Sequence, residues 1–238
     1  MRALTLVHRW LGIPLCLLFA MWFASGIVMH FVPFPTLTEA ERLDGLAPIE
    51  LPRVLHSPSD AVRASGIKDV TRVRLLQRSD GPVFLVSAAT GVAALRAGDL
   101  SLAALSAGGL ALAEALDHAR RRGMDVAQAE VSALTSIDQW TVSSGFDRHR
   151  PLFRVSLNDQ PDTELYVSST TGEVVCDTTR RERWWNYAGS VAHWIYPAAL
   201  RSRPAVWNAT VWSLSLAALI AALAGSILGI LSVCPKSS

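Results

Sequence analysis

The chain has 238 residues, half of them apolar, with 22 basic and 20 acidic side chains and a formal net charge of +2. That charge balance carries no nucleic-acid signature, and three cysteines (Cys16, Cys176 and Cys234) are too few for a disulfide scaffold. Mean hydropathy is positive, and the apolar excess is concentrated at the two ends.

After a short N-terminal segment, residues 1–9, the run from Trp10 to Val32 contains no Asp, Glu, Lys or Arg. It is longer than the ~20 residues that cross a hydrocarbon core of ~30 Å, so residues 10–32 are predicted to form a first transmembrane helix. The run exceeds the ~7–15 residues of a signal-peptide core and no small-x-small cleavage site precedes a soluble start, so it reads as a retained helix. Arg2 and Arg9 precede it while Glu39 and Glu41 follow, which predicts a cytoplasmic N-terminus and a central region outside the cytoplasm.

At ~100° per residue, His8 and Gly12 lie about 40° apart on this helix; Gly26 falls back on the direction of His8, and His30 on that of Gly12. One face therefore carries a histidine near each end, about 33 Å apart along the axis, with a glycine one turn inward from each.

The central region reads as α+β, in two similar modules at 33–108 and 109–179. Ser57-Pro58-Ser59-Asp60 is a helix start before AVRASG, and Gly66 is its stop. Val70–Leu76 alternates as a half-buried strand does, and Asp80-Gly81-Pro82 turns it into Val83–Ala88. A helix is predicted at Leu110–Gly123, its terminal arginines suiting the negative end of the helix dipole. Pro151–Leu157, Thr163–Ser169 and Gly172–Asp177 then form an antiparallel meander, with turns at Asn158-Asp159 and Thr171-Gly172. Helix then strands, twice, is a faint internal duplication. Ser143, Ser144, Asp147 and His149 read as a polar loop rather than a nucleophilic site, and His56 and His118 read as solvated.

Residues 180–203 are dense in aromatics and arginines, as an interfacial belt is. Within them Gly189 precedes His193 by four residues, repeating the spacing of Gly26 and His30. A second transmembrane helix is predicted at 205–233, followed by a cytoplasmic tail at 234–238. Arg180, Arg181, Arg183, Arg201 and Arg203 lie before this span and only Lys236 after it, which runs against the orientation given by the first helix.

Two readings of the Gly-x-x-x-His units stand side by side. Neutral imidazole is a strong ligand for haem iron, a flat macrocycle needs room beside its ligand, and ionisable groups in spans are commonly functional. Equally, small residues at four-residue spacing let helices approach, as in GSILG (Gly225–Gly229), and boundary histidines need no ligand.

HRWLGIPLCLLFAMWFASGIVMHF, YVSSTTGEVV and RWWNYAGSVAHWIYP resemble the PepSY-associated membrane helix proteins over nearly the whole chain. The resemblance implies a bacterial inner-membrane protein with PepSY-like α+β modules in the periplasm, associated with iron or siderophore uptake. Some members resemble haem-b ferric or ferric-siderophore reductases. It thus implies haem b as cofactor, with His30 and His193 as outer-face ligands, His8 as an inner-face ligand, and Gly26, Gly189 and Gly12 giving clearance. Partners implied are membrane lipid, a ferric siderophore, and a second membrane subunit or another copy. The family commonly has four membrane helices, so a short member, a fragment and a chain that pairs with another subunit all remain open. The alternative is a non-enzymatic anchored module that binds or regulates a periplasmic partner such as a peptidase.

Overall fold

The computed structural model describes residues 2–105, 108–134 and 137–233; Cys234 and the predicted tail 234–238 lie outside the described residues. In chain order the helices are α1 (Arg2–Phe31), α2 (Glu39–Asp44), α3 (Pro58–Ser65), α4 (Gly108–Arg121), α5 (Arg180–Asn186), α6 (Ala198–Arg201) and α7 (Pro204–Val233). The strands are β1 (Arg72–Arg78), β2 (Gly81–Ala88), β3 (Gly91–Arg96), β4 (Glu130–Leu134), β5 (Leu152–Ser156), β6 (Glu164–Ser168) and β7 (Val174–Thr178). Short 3-10 turns occupy Leu51–Arg53 and Ser144–His149, and a π turn occupies Tyr187–Val191. The chain forms two compact units: Pro35–Arg183, and the two terminal stretches Met1–Phe34 with Trp184–Ser238.

The α+β unit contains two antiparallel sheets, β1-β2-β3 and β4-β5-β6-β7, each preceded by the helix that packs on it. Helix α3 begins at a capping box in which Ser57 and Asp60 bond each other's backbone N–H, and it ends at Gly66 in the left-handed region. Its Ala61 seats on Phe84, Val86 and Leu95. The opposite face of that sheet carries Leu76, Val83, Leu85 and Ala94, so β2 is buried on both faces and reads as a nearly continuous apolar run. Helix α4 presents Ala111, Ala115 and Ala119 at four-residue spacing. These small side chains let it lie close on Val155, Leu165, Val167 and Val174 of the second sheet.

The expected α+β region between two apolar helices is present, with three additions. Strands β3 and β4 complete the sheets, and α2 starts at a Thr38–Glu41 capping box. His118, expected to be solvated, is instead 6% exposed. It lies on the Ala111–Ala115 stripe of α4 and presses so closely on Gly45 that a Cβ there would overlap its ring.

In the helical unit, α1 and α7 are both long and apolar enough to cross a membrane by length and composition. Helix α1 starts at Arg2, eight residues before the uncharged run, and passes through Pro14. The two helices pack on each other, and the π turn packs on α1. Only Leu15 and Ser25 of α1, and Ala221 and Ala224 of α7, are buried among their described side chains.

Candidate functional site

The helical unit turns its few polar groups toward its own helices. His193 follows the π turn, in which Gly189 approaches α1 so closely that a Cβ would sit 3.0 Å from Val28. The ring of His193 lies over Gly26, where a Cβ would be 3.5 Å from Cε1. Its Nδ1 is 3.0 Å from the Ser25 hydroxyl oxygen and 3.2 Å from the Trp22 carbonyl. Ser25 gives its own proton to that carbonyl, and the Trp22 indole N–H donates to the carbonyl of His193 at 3.0 Å. A carbonyl only accepts, so Nδ1 donates here, and in the neutral ring Nε2 is the nitrogen left with a lone pair.

His8 repeats the arrangement on the other long helix. Its Nδ1 is 2.9 Å from the carbonyl oxygen of Ala221, which again assigns the proton to Nδ1. The ring covers Gly225, where a Cβ would meet Cε1 at 2.6 Å, so any larger residue there displaces the imidazole. The level of His193 on α1 (Trp22 to Gly26) lies about 24 Å along the axis from His8, at 1.5 Å per residue.

Helical spacing pairs each histidine with a glycine of its own segment. The packing pairs them across segments instead: Gly26 with His193 and Gly225 with His8. Gly12 has open space around it, and Gly189 serves the close approach of the π turn to Val28. His30, in the last turn of α1, is exposed, stacks edge-on against Phe31 with centroids 5.1 Å apart, and makes no hydrogen bond among the described residues. The partners that the sequence reading missed are Ser25, Trp22, Ala221 and Gly225. Only Gly225 carried a signal, in GSILG, and that signal gives no hint that a histidine 217 positions earlier covers it.

A ligating imidazole offers one unprotonated nitrogen, and its other ring N–H is almost always anchored on a carboxylate, a carbonyl or water. The contacts of His8 and His193 fit that pattern, so each would have Nε2 to offer a haem iron. Among the described residues no group of three or more His, Cys, Asp or Glu side chains is placed to hold a metal ion by itself. Cys16 and Cys176 are free thiols.

Beside His193, Phe34, Trp194, Tyr196 and Trp207 form a chain of ring contacts, tilted between Phe34 and Trp194 and edge-on beyond, with centroids 5.8 to 5.9 Å apart. The Arg201 guanidinium lies over Tyr196 and Trp207, at 5.4 and 4.8 Å. Arg183, in the α+β unit, pairs with Asp162 at 2.6 Å. Of the five arginines expected near this segment, those two are thus already engaged.

The polar groups around Ser143 form no nucleophilic relay. Ser143 caps the 3-10 turn, Asp147 pairs with Arg150 at 3.0 Å, and His149 meets Ser168 at 3.2 Å. Burial holds His149 below the ordinary histidine range. Comparison with family models, with curated proteins and with solved structures gives no match to this chain.

Proposed function

We propose that the protein is a haem-b-binding protein of a bacterial plasma membrane that takes part in electron transfer for reduction of ferric iron or ferric siderophores. In this reading α1 and α7 cross the bilayer with the N-terminus in the cytoplasm, and the α+β unit faces the periplasm as a pair of PepSY-like modules. The observation that carries it is a shared contact: Nδ1 of His193 lies 3.2 Å from the Trp22 carbonyl oxygen and Nδ1 of His8 lies 2.9 Å from that of Ala221, which leaves Nε2 of each as the nitrogen to offer a metal. The exposed apolar faces of α1 and α7 support the membrane assignment. A soluble core helix would bury such side chains.

His193 is the primary outer-face ligand, and Ser25 with the Trp22 carbonyl fixes its ring orientation and proton. Gly26 faces that ring, and a Cβ there would make an ordinary contact with it. His30, exposed and without a hydrogen bond among the described residues, is assigned as the second outer-face ligand from the family resemblance, and His8, held by Ala221 over Gly225, as the inner-face ligand. Bound haem b supplies one-electron carriage, and the protein supplies ligation and an apolar surround.

The test is the visible spectrum of the detergent-purified protein from haem-replete cells. A Soret band is expected, lost or strongly weakened in His193→Ala and retained in His56→Gln. His8→Ala and His30→Ala are each expected to remove part of the signal, and loss of the same component in His30→Ala and His193→Ala would mean one shared iron. Colourless wild-type protein would sink the reading and favour an anchored module that binds a periplasmic partner.

A further inference from the structure

The α+β unit contains a groove between its two modules, about 410 Å³ in volume, bordered by an adjoining chamber of about 280 Å³. Strand β1 puts Arg72, Arg74 and Arg78 on one face, because alternate residues of a strand point the same way about 7 Å apart. The three guanidiniums differ in what meets them.

Arg78, innermost and fully buried, clasps Asp80 at 2.7 and 2.9 Å and donates to the carbonyls of Ala103 and Thr171. Gly172, at φ +80°, makes room for its stem; a Cβ there would stand 2.8 Å from Arg78 Cδ. Arg74 forms a two-pronged pair with Glu173 at 2.6 and 2.8 Å. Arg72 faces the groove and has no ion pair among the described residues.

Arg148 enters the same groove from the 3-10 turn of the other module, and it too has no ion pair among the described residues. The half-buried His149 ring and the hydroxyl side chains of Ser87 and Thr171 complete the polar lining of this larger chamber. Glu39 and Glu173 border the adjoining one, where hydrogen bonding to Arg42 and, in smaller part, the Arg72 charge hold Glu39 below the ordinary carboxylate range. Arg72 and Arg148 are both exposed at the groove and together give it a positive rim that attracts an anion. Each presents a planar fork suited to a carboxylate or phosphate group. The volume is that of a small-molecule site.

We propose that this groove binds a small organic or inorganic polyanion carrying at least two oxyanion groups, carboxylate or phosphate, held between Arg72 and Arg148. The site belongs to the α+β unit alone and does not depend on what the histidines of the helical unit hold.

The test is calorimetric titration of the purified full-length protein in a neutral detergent, with citrate in one arm and pyrophosphate in the other. At least one of the two is expected to bind, more weakly as salt is raised. The stronger arm identifies the oxyanion class. The double substitution Arg72→Gln with Arg148→Gln is expected to lower that affinity by about tenfold or more, with an unchanged unfolding midpoint. Lys68→Gln with Arg181→Gln removes the same charge at exposed positions elsewhere and is expected to leave binding within about twofold. Absence of binding in both arms would overturn the site. So would full affinity in the Arg72/Arg148 variant, or an equal loss in the Lys68/Arg181 variant.

Discussion

In the α+β unit large side chains such as Tyr166, Phe84 and Leu85 are sealed at 0–1% exposure, whereas in the helical unit Trp10, Phe23 and Trp212 stand 64%, 77% and 76% exposed. Polar groups follow the reverse arrangement. The α+β unit carries ion pairs on its surface, such as Arg53–Glu50 and Arg121–Asp117. The helical unit keeps Ser25 at 2% exposure and aims His8 and His193 at carbonyls of a neighbouring segment. With the helical unit placed in a bilayer, as proposed above, one physical rule gives both patterns: side chains that match the solvent face it, and the rest face each other.

The sharpest way to break this comparison is to open the sealed core. Phe84→Ala is expected to cost the α+β unit about 3–5 kcal/mol, read by equilibrium unfolding in urea. A cost below about 1 kcal/mol would mean that the first sheet is not packed on α3 as described.

A second experiment sets two equally exposed leucines against each other. Leu17 of α1 is 74% exposed and Leu102 of the α+β unit is 72% exposed. Leu17→Lys is expected to disfavour membrane insertion by about 3 kcal/mol, seen as loss of protein from the washed membrane fraction. Leu102→Lys is expected to change folding stability by less than about 0.5 kcal/mol. Equal tolerance at both positions would remove the difference in solvent.

The smallest effect concerns pH. Burial, followed by the nearby Arg122 charge, holds His118 down at about 4. The unfolded chain takes up that proton near 6.5 and the folded unit only near 4. The stability due to the neutral ring is therefore fully present above pH 6.5, declines as pH falls through that window, and levels off below about 4. The decline is on the order of 1–3 kcal/mol. His118→Gln should remove this part of the slope when unfolding is compared at several pH values across the window. An unchanged slope would place the titration elsewhere.

Several elements were legible because their signals are local. The capping box at Ser57, the Gly66 stop, the alternation along β1 and the two long uncharged runs each announce an element within a few residues. The Thr38–Glu41 box was equally readable and marks α2. Strands β3, GVAALR, and β4, EVSAL, each carry a single β-branched residue and no aromatic, so neither has the density that distinguishes a strand from a helix. His118 could have been placed inside by its position on the Ala111–Ala115 stripe, but its seat on Gly45 is set by tertiary packing alone. The same holds for both candidate sites. Arg74 meets Glu173 and His8 meets Ala221, partners separated by 99 and 213 positions. No periodicity in a single segment reports such pairings.

The π turn at Tyr187–Val191 has a consequence for how His193 can vary. A π turn closes on one residue more than an α turn while sweeping about the same angle, so the extra residue is taken up locally and the chain beyond keeps its direction. Deleting a single residue within it is expected to restore an α turn and to leave the imidazole on the Ser25 and Trp22 side of α1. What the deletion removes is the wide turn that brings Gly189 against Val28. In this stretch the extra residue sets how closely the backbone meets α1, and leaves the aim of the ring to the histidine's own position.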